Sequence, residues 1–122
     1  HICFGYGQKV KEKPDQYHFL QEMKAVPCDR ISIETAQPNL DCSVLRALPE
    51  HNIMLGVLNL GTHEVDTVDE IIGRVERALP YIDKERVILA PDCGFKYIPR
   101  QYAFRKLQNM CEAARILRQT YG

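Results

Sequence analysis

The feature that most constrains this chain is an alternation, kept up along all 122 residues, of short apolar runs with longer amphipathic ones. Arg30-Ile31-Ser32-Ile33-Glu34, the run 53–60 and Arg86-Val87-Ile88-Leu89-Ala90 are short and rich in Ile, Val and Leu, so each reads as a buried strand. His1 to Phe4 reads as the end of a fourth. Between them the spacing predicts helices. One covers about 14–26, with Pro14 in its first turn and Tyr17, Leu20, Met23 and Lys24 spaced by three and four. A second covers 40–48, with Leu40, Val44, Leu45 and Leu48 on one stripe. A third runs from the capping box Thr67-Val68-Asp69-Glu70 to about residue 81. The longest covers about 99–120, with Tyr102, Leu107, Met110, Cys111, Ala114 and Leu117 turned inward. Strands alternating with helices predict an α/β fold of parallel βα units, and continuous apolar strands fit a sheet covered or closed on both faces. With no linker, repeat or low-complexity stretch, residues 1–122 form a single domain.

In parallel α/β folds, chemistry gathers at the C-terminal ends of the strands. Four side chains of metal-ligating type fall there. His1 and Cys3 are two residues apart, so extended backbone projects them side by side. Glu34 ends the second strand, and Cys93 follows the last one in Ala90-Pro91-Asp92-Cys93-Gly94. An imidazole, two thiolates and a carboxylate make a tetrahedral shell for Zn²⁺. Cys28, Cys42 and Cys111 read as small packing residues, and His18 and His51 as exposed. Tyr6, between two glycines, reads equally as a pocket lining or as an aromatic plug in a turn.

Sixteen basic residues balance sixteen acidic ones, which removes the electrostatic case for a nucleic-acid or membrane partner. No apolar run approaches the roughly 20 residues that span a bilayer. Five scattered cysteines without a CxxC pair suit reduced thiols in the cytoplasm. A first residue that is His instead of Met suggests part of something longer.

His1-Ile2-Cys3, then Ile31-Ser32-Ile33-Glu34, then Pro91-Asp92-Cys93-Gly94 with Lys96 after it, and finally the helical stretch from Leu107 to Arg115, taken in that order, resemble the C-terminal catalytic barrel of cobalamin-independent methionine synthase, in the uroporphyrinogen-decarboxylase-like superfamily. The resemblance extends over essentially the whole chain. It implies the C-terminal half of a TIM (βα)8 barrel, the last four βα units, with the N-terminal part of the barrel absent. It also implies zinc ligands His1, Cys3, Glu34 and Cys93, and transfer of a methyl group from a methyl-folate to the thiol of homocysteine, giving methionine. Two departures stand out. Where the family carries Tyr-Asp-Ile-His, this chain has Leu58-Asn59-Leu60-Gly61, so Gly61 takes the place of the histidine and His63 becomes the candidate for acid–base work. The loop Phe95-Lys96-Tyr97-Ile98-Pro99-Arg100 replaces the usual Leu-Lys-Thr-Arg. Both point towards shorter single-barrel relatives and leave open a methyl-corrinoid protein as donor.

A free thiol, with its pKa near 8.5, is mostly protonated at neutral pH, and only the thiolate attacks. Metal binding favours the thiolate. Glu34, the hardest ligand of the four, is expected to yield to the incoming sulfur. Asp92 and Lys96 are candidates for contacts to substrate or to the ligands, against a plainer reading as a loop cap and a solvated charge. The alternatives are a different acceptor such as coenzyme M, a corrinoid donor, or a catalytically inert zinc-binding fragment. Four strands closing no barrel leave two open edges and an exposed apolar lining, so no turnover is expected from this piece alone.

Overall fold

The computed structural model describes residues 1–122. Three parallel strands, β1 (Arg30–Ile33), β2 (Asn52–Leu58) and β3 (Val87–Pro91), form a sheet in the order β1-β2-β3. The His1 stretch adds a fourth parallel segment at the β1 edge through a single bridge between Ile2 and Ile33. Ile31 lies opposite Ile53, and Ile33 opposite Leu55, which in turn lies opposite Leu89. These residues share one face of the pleat, and Ile31, Ile33, Ile53, Leu55 and Val57 are buried in the core. The face bearing Ser32, Met54 and Ile88 is more open, Ile88 being 38% exposed. The face bearing Ile31, Ile33, Ile53, Leu55 and Val57 is fully covered, and the other face, with Ser32 and Met54 half-buried, partly so.

Helix α2 (Val68–Ala78) begins as its capping box dictates. The Thr67 hydroxyl accepts from the Glu70 N–H, and the Glu70 carboxylate accepts from the Thr67 N–H. Ile71, Val75 and Ala78 carry its buried stripe. Helix α3 (Arg100–Tyr121) packs against α2 with part of the expected face inward: Leu117 is buried, and Tyr102 and Met110 pack against the core. Lys106, Ala113 and Leu117 point inward, whereas Leu107 and Cys111 are exposed. Lys106 takes an inward position that no apolar pattern marks, its ammonium drawn into a buried cluster with Asp66 (2.7 Å), the Asn59 carbonyl (2.9 Å) and the Glu64 carbonyl.

The two other expected helices are corrected. Residues 14–26 form only one helical turn, α1 (Leu20–Met23). Tertiary contacts hold the preceding segment irregular: Tyr17 is buried and stacks on Phe4 at 4.3 Å, and Lys13 reaches Glu34. The 40–48 segment is a 3₁₀ helix (Cys42–Ala47), capped by Asp41 on Ser43. It closes with i→i+3 bonds that put Leu45 and Leu48 on one buried stripe, and Pro49 follows. Cys42 packs in the core as expected, but Cys28 and Cys111 are exposed. His51, expected outside, is 4% exposed and sits 3.3 Å from the Val26 carbonyl.

Candidate metal centre

Register decides which way the first residues face. Ile2 donates to the Ser32 carbonyl (2.7 Å), and its own carbonyl accepts from Glu34 N–H (3.1 Å). Ile2 follows Ile33 into the core, so His1 and Cys3 turn to the opposite face, that of Ser32. His1 Nδ1 lies 3.0 Å from Ser32 Oγ, which leaves Nε2 for a metal. Cys93 arrives from the C-terminal end of β3, its Sγ 4.0 Å from that of Cys3. The sulfurs are well beyond the roughly 2.05 Å of a disulfide, and both thiols are free. One ligand atom from each of His1, Cys3 and Cys93 lies within 4.8 Å of the others, a group able to hold a metal ion.

Glu34 stands beside this group with other partners. Its Oε2 accepts from Phe4 N–H at 2.8 Å, and its Oε1 is paired with the Lys13 ammonium, which also donates to the Gly5 carbonyl at 2.9 Å. The Lys13 and Glu34 side chains are 1% and 0% exposed. Gly5 has φ +103°, a left-handed conformation that suits glycine and lets the loop turn back so that Lys13 reaches inward. Tyr17 places its hydroxyl 3.4 Å from the Glu34 carbonyl. Burial first, and then the negative charge of Glu34, push the Tyr17 phenol upward and keep it neutral.

Asp92, beside Cys93, is a structural anchor. It is 1% exposed, and its carboxylate accepts three backbone N–H bonds, from Thr35 (3.1 Å), Ala36 (3.0 Å) and Gln37 (2.7 Å). Burial pushes its pKa up to about 6 against the pull of those donors. Gly56 makes this approach possible: a Cβ there would sit 2.3 Å from Asp92 Oδ1 and 2.9 Å from both Asp92 Cα and the Ile33 carbonyl. The Asp92 bridge ties the loop after Glu34 to the loop carrying Cys93. The Cys93 thiol is itself raised, by burial first and by the negative charge of Cys3 and Glu34, with the Gly94 N–H opposing.

The other sequence candidates lie outside the ligand group. Lys96 is exposed, its ammonium 5.8 Å from the Tyr6 ring and 5.5 Å from that of Tyr97. Tyr6, 39% exposed, packs edge-on against Tyr97. His63 is exposed and stacks on Tyr102 of α3 at 5.2 Å. Gly61 is packed against Gln37, which a Cβ would meet at 2.8 Å. Sequence reasoning missed Ser32 and Lys13. Ser32, the one polar residue inside an apolar strand, signals the face the site occupies. Lys13 lies among Lys11, Glu12 and Pro14 with no local pattern to mark it.

A known protein shares this fold. The B12-independent methionine synthase from Shewanella sp. W3-18-1, solved in complex with selenomethionine, superposes with a TM-score of 0.88 at 22% identity, over 98% of this chain and 38% of that one. The parallel βα arrangement is thus that of part of a TIM barrel. The methionine synthase of Pyrococcus abyssi is 36% identical over 78 residues, 64% of this chain and 23% of that protein. That of Sulfurisphaera tokodaii is 27% identical over 120 residues, 98% of this chain and 32% of its own. The 5-methyltetrahydropteroyltriglutamate–homocysteine methyltransferase of Acidithiobacillus ferrooxidans is 33% identical over 126 aligned residues, covering the whole chain and 15% of that protein. The chain thus spans a third or less of these curated relatives. Residues 12–116 match the family described as cobalamin-independent synthase, catalytic domain, and the chain belongs to that family.

Proposed function

We propose that this chain carries the metal centre of a zinc-dependent methyltransferase that methylates the thiol of homocysteine, producing methionine, with a methylated tetrahydropteroylglutamate as donor. The observation that carries the reading is the convergence of His1, Cys3 and Cys93 at the ends of parallel strands, in a member of this family. The donor set fits zinc. Two sulfurs each about 2.3 Å from a tetrahedral Zn²⁺ lie about 3.8 Å apart, close to the 4.0 Å between Cys3 and Cys93. Glu34 at the end of β1 is the candidate fourth ligand, the one to yield to the substrate sulfur, and a shell that opens a position to substrate is the pattern of catalytic zinc. When bound, the metal would hold the substrate sulfur as a thiolate at neutral pH.

The chain's own residues prepare that position. Ser32 orients the His1 ring, and Asp92 fixes the loops carrying Glu34 and Cys93 relative to each other. The open face bearing Ser32 and Met54 gives a thiol access from the strand ends. The rest of the barrel would supply what binds the amino-acid group and the pterin, so the 122-residue piece has no turnover by itself. No helix is long and apolar enough to cross a membrane, and five free thiols suit a reducing cytoplasm.

A second reading, a methyl-corrinoid donor or another acceptor such as coenzyme M, draws support from Gly61. Gly61 stands where the family carries its histidine, a side chain there would have to displace the end of Gln37, and His63 is stacked on Tyr102 instead. Assay of the full-length protein with homocysteine and with coenzyme M as acceptors, each with both donors, decides between them. Methionine formed from methyl-tetrahydropteroylglutamate supports the first reading. Turnover only with a methyl-corrinoid protein supports the second, and turnover with neither removes both.

A further inference from the structure

Two loops leave the ligand cysteines and meet beyond them. One follows Cys3 and the other Cys93, so both stand on the rim of the strand ends. Residues 6–10 form a tight turn in which the N–H groups of Lys9 and Val10 both donate to the Tyr6 carbonyl (2.9 Å), folding Lys9 back towards Tyr6. Gly7 seats this turn on the domain: a Cβ there would lie 2.3 Å from Gln37 Oε1 and 2.6 Å from the Leu60 backbone. Residues 95–98 form the second turn, closed by Ile98 N–H on the Phe95 carbonyl (2.9 Å), with Ile98 buried and Lys96 and Tyr97 outside.

The turns meet through Tyr6 and Tyr97, edge to face at 5.2 Å. The Lys9 ammonium lies 5.0 Å from the Tyr97 ring centre, and that of Lys96 lies 5.5 Å from Tyr97 and 5.8 Å from Tyr6. The ion pairs of the domain use Lys13, Arg74, Lys84, Arg86, Lys106 and Arg115, so neither Lys9 nor Lys96 has a carboxylate partner. Segments 5–12 and 94–100 together hold four exposed cations, Lys9, Lys11, Lys96 and Arg100, against one acid, Glu12, in a chain whose sixteen basic and sixteen acidic residues balance.

A lysine paired with a carboxylate is neutralised, whereas one resting on a ring face keeps its charge and is held only weakly. Two ammoniums set this way on separate loops make a positive rim that can take carboxylates spaced along a flexible chain. The pterin donor proposed above has such a part. Its methyl-bearing ring must approach the metal-bound sulfur while its glutamate end trails outward, and each added γ-glutamyl unit contributes one more carboxylate. Tyr6 and Lys96 each stand three residues beyond a ligand cysteine, at most about 11 Å of chain, close enough to meet a donor that extends out of the centre. A protein donor would call for roughly 1,000 Å² of complementary surface, far more than two side chains on two rings provide.

Resting on the pterin-donor reading above, we infer that Lys9 and Lys96, positioned by Tyr97 and Tyr6, form a subsite for the carboxylates of the donor's γ-glutamyl tail and set a preference for longer tails.

The test is calorimetric binding of methyl-tetrahydropteroylmonoglutamate and of its triglutamate to the zinc-loaded full-length protein at low salt. It compares the unaltered protein, the double variant Lys9→Gln/Lys96→Gln, and Lys96→Glu. Both lysines are exposed, so the variants should fold, with circular dichroism as the control. Two exposed charge pairs predict that the unaltered protein binds the triglutamate about fivefold or more tightly than the monoglutamate. In the double variant that ratio should fall to within about twofold, with the monoglutamate affinity changed by less than about threefold. Lys96→Glu should bind the triglutamate more weakly than the double variant does, and added salt should erase the preference of the unaltered protein. Absence of a tail preference at low salt, or a preference that survives in the double variant, overturns the inference alone. If the unaltered protein binds neither compound, the pterin-donor reading fails and this inference falls with it.

Discussion

Lys106→Met should loosen the loop after β2 far more than its place on a surface helix suggests. The Lys106 ammonium is fully buried and serves three acceptors: Asp66 Oδ2 at 2.7 Å, the Asn59 carbonyl at 2.9 Å and the Glu64 carbonyl. Methionine preserves the length and apolar stem of the side chain but removes every one of those donors. Asp66 keeps Arg74 and the Asn59 N–H (3.1 Å), so it does not become an isolated charge. Breaking a buried pair commonly costs about 3–5 kcal/mol, and the remaining Arg74 contact argues for the lower end, about 3 kcal/mol. At about 1.4 kcal/mol per tenfold, that is more than 100-fold in the opening equilibrium of the 59–66 loop. Hydrogen exchange followed by mass spectrometry on peptides spanning 57–68 reads this directly, with peptides from β1 as an internal reference. Exchange accelerated by less than about threefold in that loop would refute the reasoning and show that Lys106 holds nothing Asp66 and Arg74 do not hold already.

Other consequences follow from the same contacts. Gly56→Ala drives a Cβ to 2.3 Å from the Asp92 carboxylate and 2.9 Å from the backbone of Asp92 and Ile33, so it should destabilise the fold by at least the 1–3 kcal/mol typical of overpacking; an unchanged thermal midpoint would count against the close approach described here. Ser32→Ala removes the partner of His1 Nδ1 and should weaken zinc binding by about tenfold while leaving the sheet intact, measurable by chelator competition with circular dichroism as the fold control. Asp66 titrates below the ordinary carboxylate range: burial opposes this, but hydrogen bonds from Lys106 and Arg74 outweigh it. Because the folded value lies below the unfolded one, its contribution to stability is present above about pH 4 and is lost as pH falls through the depressed folded value. Acid unfolding of Lys106→Met should therefore begin at higher pH than that of the unaltered protein.

What could be read from the sequence was whatever is encoded locally. The Thr67–Glu70 box marks a helix start by four residues alone, and β1, β2 and β3 announce themselves through runs of Ile, Val and Leu. The i, i+2 spacing of His1 and Cys3, with Cys93 at a strand end, was enough to suggest a site that the fold brings together. What was illegible depends on partners far along the chain. The 14–26 segment has helical spacing, yet Lys13 and Tyr17 are claimed by Glu34 and Phe4, and one turn survives. Apolar spacing turned Leu107 and Cys111 of α3 inward, whereas Lys106 is the buried residue there, bonded to residues 40 or more positions away. Nothing near Glu34 in sequence reveals that Lys13 contacts it.

The central claim, a zinc centre built by His1, Cys3 and Cys93, is tested most directly by elemental analysis of the purified protein beside its Cys93→Ser variant. The account predicts close to one zinc per chain in the first and far less in the second. A folded, soluble protein without zinc, or equal zinc in both, would contradict it.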